Sequence, residues 1–156
     1  MAQLADGRVI LTSRNTNERN RRLASYSDDG ATNWSEPQLV EDLLEPGCMA
    51  GIVAHPGMIN DRGSILLFSN PHTTKRKHSA RHDVTIKLSH DGGLTWPTQK
   101  LLEDGPSAYS DLAVLLDGSI LCFYESGVDP PRVKRNRDWA YANLTLAHFN
   151  LEWLKE

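Results

Sequence analysis

The sequence predicts an all-β fold of repeated antiparallel units, and three observations carry that prediction. A turn-plus-strand unit occurs three times: Asp6-Gly7-Arg8-Val9-Ile10-Leu11, Arg62-Gly63-Ser64-Ile65-Leu66-Leu67 and Asp117-Gly118-Ser119-Ile120-Leu121-Cys122, at spacings of 56 and 55 residues. A second motif occurs twice, as Ser27-Asp28-Asp29-Gly30-Ala31-Thr32-Asn33-Trp34 and Ser89-His90-Asp91-Gly92-Gly93-Leu94-Thr95-Trp96, offset by 62 residues. No segment reads as a convincing helix; Leu151-Glu152-Trp153-Leu154 reads at most as one short turn.

Each unit reads as four short strands bounded by turn residues. In the first these are 2–4, 9–14, 23–27 and 38–40, the third ending in the first Ser/Asp/Trp turn. In the second they are 51–55, 64–69, 84–89 and 100–102, the third again ending in that turn. The last unit shows 111–115, 120–124 and 144–150 and lacks an outer strand. Four-stranded units at this period are blades of a β-propeller. The approximate blades are 1–47, 48–105 and 106–156, together one partial propeller domain. Three blades cannot close a ring of the usual four to eight, so the chain reads as the C-terminal part of a longer propeller.

The 156 residues carry a formal net charge of −3, with 24% charged and 39% hydrophobic residues. The mild negative charge argues against a nucleic-acid partner. No apolar run approaches the roughly 18 to 20 residues of a spanning helix, and no segment resembles a signal peptide. Cys48 and Cys122 lie 74 residues apart without metal-binding spacing, and read as free thiols, Cys122 buried in a strand. The basic run Lys75-Arg76-Lys77 with His78 reads as a solvated loop. His78 and His82 are four apart, but the surrounding charges argue against a metal-binding helix.

Ser107-Ala108-Tyr109-Ser110-Asp111-Leu112 precedes Tyr124-Glu125 with one apolar run on each side of an Asp117-Gly118 turn. That is a β-hairpin pattern with a two-residue turn. It brings Tyr109, at the start of one strand, and Glu125, at the end of the next, to the same end of one sheet. Asp111 follows closely and is expected to bond nearby backbone. The polar stretch from Gly127 to Asp138, with Pro130-Pro131, reads as an inserted loop.

The eight-residue turn is the Asp box: Asp caps backbone N–H groups, Gly supplies unusual backbone angles and Trp packs between sheets. Residues 89–96 match it at every defined position, whereas the first has Ala31 for Gly and Asn33 for Thr. Its aspartates, Asp29 and Asp91, are therefore turn residues and not a catalytic pair. Together with Ser13-Arg14-Asn15, Leu67-Phe68-Ser69-Asn70-Pro71, the stretch Arg81 to Ser89, Ser107 to Leu115 and Tyr124-Glu125, the chain resembles the C-terminal half of a bacterial exo-α-sialidase (neuraminidase).

The resemblance implies a six-bladed propeller, of which about three blades are present, and a glycoside hydrolase acting on sialylated glycans with retention of configuration. It implies no metal or organic cofactor, and suggests a secreted or periplasmic protein. It makes Tyr109 the nucleophile, Arg14 and Arg81 two of three arginines that clamp the substrate carboxylate, and Glu125 the group that orients the third. The third arginine, the acid/base aspartate and the glutamate that activates the tyrosine are expected upstream of Met1, so the chain alone is expected to be nearly inactive. The alternative is a non-catalytic, sialoglycan-binding or interaction propeller; a propeller that binds no sugar is the most distant option.

The residue types suit the chemistry. Arginine meets a carboxylate with two parallel charge-assisted bonds, which a lysine cannot do. A tyrosine hydroxyl is neutral until it reacts, and so avoids the repulsion that a carboxylate nucleophile meets from an anionic sugar. A phenol ionises near pH ~10, so the nucleophile requires an adjacent base.

Overall fold

The structure, a computed structural model, describes residues 1–60, 63–74, 81–127 and 140–156, with backbone only at 57–60 and 63. Arg62, the basic run Lys75-Arg76-Lys77-His78 and residues 128–138 of the inserted loop lie outside the described residues.

Three antiparallel sheets follow one another along the chain. The first contains β1 (Ala2–Gln3), β2 (Val9–Ser13), β3 (Arg21–Ser27) and β4 (Gln38–Leu44), hydrogen-bonded in that order. The second contains β5 (Gly51–Asn60), β6 (Gly63–Pro71), β7 (Val84–Ser89) and β8 (Thr98–Leu101), also in order. The third contains β9 (Ser107–Val114), β10 (Ile120–Ser126) and β11 (Asn143–Phe149), with β10 in the middle. A single helical turn, α1 (Leu151–Lys155), follows.

The second sheet is sandwiched between the other two, and its sequence shows why. In β6, Leu66 and Phe68 join the cluster of Ile10, Ala24, Val40 and Leu43 from the first sheet. The alternate residues, Ile65 and Leu67, join Ile86, Leu88, Leu112, Ile120 and Cys122 on the third-sheet side. A strand covered on both faces needs apolar residues at both parities, and Ile65-Leu66-Leu67-Phe68 supplies them. Burial of each such side chain is worth roughly 1.5–3 kcal/mol. Gly51 permits a close approach of the second and third sheets: a Cβ there would lie 2.9 Å from Asp111 Cα and 3.0 Å from Leu112 N.

Several boundaries differ from the sequence reading. The strand expected at 23–27 begins at Arg21, with a register shift against β4 between Arg21 and Arg22. Its outer partner continues to Leu44, and β9 begins at Ser107 rather than Asp111. Asn150 leaves β11 to cap α1, accepting a bond from Trp153 N at 3.0 Å. The 117–118 turn is a three-residue loop, not a two-residue one. Leu115 N donates to Ser119 O at 2.8 Å and Gly118 N to Leu115 O at 2.9 Å, with Gly118 at φ +84. This is a type I turn closed by a left-handed residue, which glycine adopts without strain. Both cysteines are free and buried.

Candidate active site

Tyr109 and Glu125 meet through a β-bulge. Ser110 pairs with Tyr124 and Ser107 with Ser126, so Ala108 and Tyr109 together oppose Glu125. The Tyr109 amide has no ladder carbonyl to bond, and it donates to Glu125 Oε2 at 3.0 Å instead. The carboxylate thus holds the backbone of Tyr109 in place. Ser110 Oγ bonds Ser69 Oγ at 2.8 Å and ties the bulged strand to the second sheet.

Arg81 precedes β7 and is 4% exposed. Its Cζ lies 5.1 Å from the Tyr109 ring centroid. Nη1 donates to Tyr141 Oη at 2.9 Å and Nη2 to the Gly47 carbonyl at 2.7 Å. Nε is buried and has no hydrogen-bond partner among the described residues. Arg14 follows β2 and is exposed; its Nη1 reaches the same Gly47 carbonyl at 3.5 Å. The structure therefore brings Arg14 and Arg81 together on one acceptor, with Tyr109 against the second. Among the described residues, neither guanidinium is paired with a carboxylate.

The described groups that touch Arg81 leave its charge in place. Burial acts to lower the Arg81 pKa, but nearby Cys48, Tyr141 and Tyr109 more than offset it, and the net shift is upward. Burial pushes the Cys48 thiol up to about 12 and raises the Tyr141 phenol, so both are neutral near pH 7. Cys48, Ala108 and Ala140 form a small buried cluster beneath Tyr109 and Tyr141. A pocket of about 180 Å³ opens beside Tyr109 and Glu125, bounded also by Met49, Phe123 and Leu144; its lining includes neither arginine.

The Gly47 turn is itself held from below. Glu45 is fully buried. Its Oε1 accepts from Gly47 N at 2.6 Å and Cys48 N at 3.0 Å, and its Oε2 from Arg22 Nη1 at 2.5 Å. Sequence reasoning missed Gly47, Tyr141, Arg22 and Glu45. Pro46-Gly47 is a turn signal, but no sequence pattern links Arg22 to Glu45. Asp111 bonds the backbone N of Leu112 at 2.9 Å. His82 Nδ1 lies 2.5 Å from Asp83 Oδ2.

The sequence profile of the BNR repeat-like domain matches residues 1–122. The chain belongs to the BNR repeat-like domain family. It is 33% identical over 155 residues, 97% of its length, to a sialidase of Micromonospora viridifaciens. It is 36% identical over 133 residues, 82% of its length, to a sialidase of Bacteroides fragilis. These matches cover 21% and 24% of the two relatives, so the chain spans about a fifth to a quarter of their length. Among solved structures, Hadza microbial sialidase Hz136 superposes with a TM-score of 0.72 at 33% identity, over 97% of this chain and 27% of that one. The NanB sialidase of Streptococcus pneumoniae superposes with a TM-score of 0.77 at 16% identity, over 97% of this chain and 23% of that one, and speaks for the fold alone. The fold of this BNR repeat-like chain is thus that of sialidase β-propeller blades, and its likeness to sialidases runs through nearly the whole sequence.

Proposed function

We propose that this chain supplies the nucleophile and two carboxylate-binding arginines of a retaining exo-α-sialidase. The observation that carries the reading is the convergence of Arg14 and Arg81 on the Gly47 carbonyl, with Arg81 against the Tyr109 ring and no protein carboxylate neutralising either guanidinium among the described residues. A cationic pair left unneutralised beside a phenol suits an anionic sugar.

In this reading the arginines bind the sialic acid carboxylate and orient the anomeric carbon toward Tyr109 Oη. Tyr109 Oη gives its proton to the base expected outside this chain and attacks the anomeric carbon; the glycosidic bond breaks, and the aglycone leaves with a proton from a general acid. Water then gives a proton to the conjugate base of that acid and attacks the same carbon, and Tyr109 leaves as a phenolate that takes its proton back from the first base. Two displacements at one carbon return the original configuration. Positive charge develops at the anomeric carbon, and a phenolate near it stabilises the transition state.

A specific observation favours binding without cleavage for the chain alone. Glu125 bonds the Tyr109 backbone amide, and no described carboxylate is bonded to the Tyr109 hydroxyl. Without an adjacent base the phenol is a poor nucleophile near neutral pH.

The test is a titration of the ¹⁵N-labelled chain with N-acetylneuraminic acid, beside an assay of aryl sialoside hydrolysis. Binding is expected, with only trace hydrolysis. Arg81→Ala is expected to weaken binding by roughly tenfold or more, because a charge-assisted pair is worth about 1.5–3 kcal/mol. Arg14→Ala, at an exposed and longer contact, is expected to cost less. A folded chain that shows no response to the sugar would overturn the reading. Robust turnover by the chain would overturn the assignment of the base and acid to sequence outside it.

A further inference from the structure

We propose that the buried Arg22–Glu45 pair is a positioning device for the arginine clamp, acting through the Gly47 carbonyl. The inference rests on the reading of Arg14 and Arg81 as carboxylate-binding residues. It adds two residues that do not touch a substrate.

Glu45 is fully buried and Arg22 is 4% exposed. Their bond, Arg22 Nη1 to Glu45 Oε2, is 2.5 Å long. Burial of such a pair is a poor route to stability, since desolvation offsets the Coulomb attraction and an apolar pair of similar volume does as well. The remaining contacts explain what the pair is for. Glu45 Oε1 takes the amides of Gly47 and Cys48 together. Arg22 Nη1 also donates to the Cys48 carbonyl at 3.0 Å. The Glu45 amide donates to Asn20 O at 2.9 Å, and Asn70 Nδ2 holds the Leu44 carbonyl at 2.7 Å. The turn is therefore pinned at Leu44, Glu45, Gly47 and Cys48. Gly47 sits at φ +78, where side chains are disfavoured. The Gly47 carbonyl of this pinned turn accepts from both Arg81 and Arg14.

A carbonyl suits this place better than a carboxylate. It orients two guanidinium groups by hydrogen bonding without neutralising them, and the full positive charge stays available to an anionic ligand. The negative charge that anchors the turn is balanced locally by Arg22, so it draws little from the clamp. Holding the donors in register before the ligand arrives removes part of the ordering cost of binding.

The experiment uses the chain with ¹⁵N-labelled arginine. The guanidinium resonances of Arg81 and the affinity for N-acetylneuraminic acid are measured in parallel. Glu45→Gln leaves Arg22 as an uncompensated buried charge and risks unfolding. The principal variant is therefore the double substitution Arg22→Met with Glu45→Leu, which removes both charges at similar volume. Gly47→Ala is the second variant; a Cβ there meets nothing within 4 Å, so it perturbs the carbonyl without a clash. Glu41→Ala is the control, since Glu41 is an exposed partner of Arg19 and Arg21.

In folded double variant and in Gly47→Ala, the resolved Arg81 Nη signals are expected to average, and affinity to fall at least about tenfold. The control is expected to change neither. Unchanged Arg81 signals in either folded variant would overturn the positioning role. If the parent chain binds no sialic acid, yet the Arg81 signals still collapse in the variants, the positioning role stands and the sialic acid reading falls.

Discussion

The two Asp-box turns of this chain share Ser, Asp, Gly and Trp, four of their eight residues, and have very different surroundings. In the second, Trp96 is fully buried, with its ring centroid 5.6 Å from that of Phe68 and its indole N–H donating to Gly93 O at 3.2 Å. In the first, Trp34 is half-buried. The second turn docks on the first sheet: Tyr26 Oη donates to Gly92 O at 3.2 Å and Trp96 N donates to Asp42 Oδ2 at 2.8 Å. Among the described residues, the side-chain bonds of the first turn stay within its own neighbourhood, among Ser27, Asp29, Gly30, Ala31, Thr32 and Asn33. The turn chemistry is nonetheless shared. Thr95 Oγ1 and Thr32 Oγ1 each donate to their aspartate at 2.6 Å. Thr32 does so three residues after its Asp and Thr95 four, so the first turn is one residue tighter. It is Thr32, not Asn33, that fills the threonine role, and Asn33 takes the left-handed conformation at φ 50. The lesson is that the aspartate cap is a local device, whereas the second glycine and the buried tryptophan answer to a neighbouring sheet.

The largest expected effect that tests this contrast is at the tryptophans. Trp96→Ala removes a fully buried ring and is expected to cost about 3–5 kcal/mol, enough to unfold a marginal chain. Trp34→Ala is expected to cost under about 1 kcal/mol. Urea denaturation of both variants measures the difference, and equal losses would break the comparison.

Next comes Lys87, which lies on the face of β7 that looks toward Trp96's partner Phe68. Its Nζ is 5.7 Å from the Phe68 ring and donates to Asn70 Oδ1 at 3.1 Å. Burial, reinforced by the charge of Arg22, pushes its pKa down to about 7. The folded state therefore sheds this proton near pH 7 while the unfolded chain keeps it to about pH 10.4. Between those values the unfolded state binds more protons, so stability rises with pH, by at most about 1.4 kcal/mol per unit. Below about pH 7 the whole penalty is present. Lys87→Met is expected to flatten that slope in denaturation curves taken from pH 7 to 10.

Gly93→Ala sharpens the contrast at smaller scale. Gly93 has φ +95, and a Cβ would lie 2.6 Å from Ile10 Cδ1. A loss of about 1–3 kcal/mol is expected, against a few tenths for Ala31→Gly. The smallest effect is at the caps. The Asp91 pKa is lowered: burial acts to raise it, but the Thr95 and Ser89 bonds outweigh that. A depressed carboxylate stabilises the fold above its unfolded pKa of about 3.9 and loses that contribution as pH falls through the folded value. Asp91→Asn is expected to make stability less sensitive to acid below about pH 4, read from the thermal midpoint between pH 2 and 5.

Much of the fold was legible because its causes are local. The apolar run 9–11 after its turn, the double-sided apolar run 65–68 and the glycines at 7, 92 and 118 write strands and turns into neighbouring residues. Tyr109 and Glu125 could be placed together because a hairpin returns the chain on itself. The bulge that bonds them could not be read, since a bulge is a property of the pairing and not of either strand. The same limit hid the contacts made by Arg22 and Arg81. Nothing near Arg22 in sequence names Glu45, and nothing near Arg81 names Gly47 or Tyr141, which are 34 and 60 residues away.

The sequence by itself determined the all-β repeats, the Asp-box turns and, through the residues they carry, the likeness to sialidases, because periodicity, turn chemistry and motif are read over a few consecutive residues. Only the tertiary structure decided that one tryptophan is buried and its counterpart half-open, that β9 bulges at Tyr109, and that the buried Glu45 bonds both Arg22 and the amide of Gly47, whose carbonyl accepts from Arg14 and Arg81. Those facts depend on which sheet packs against which, and burial and long-range hydrogen bonding arise only once the sheets are stacked.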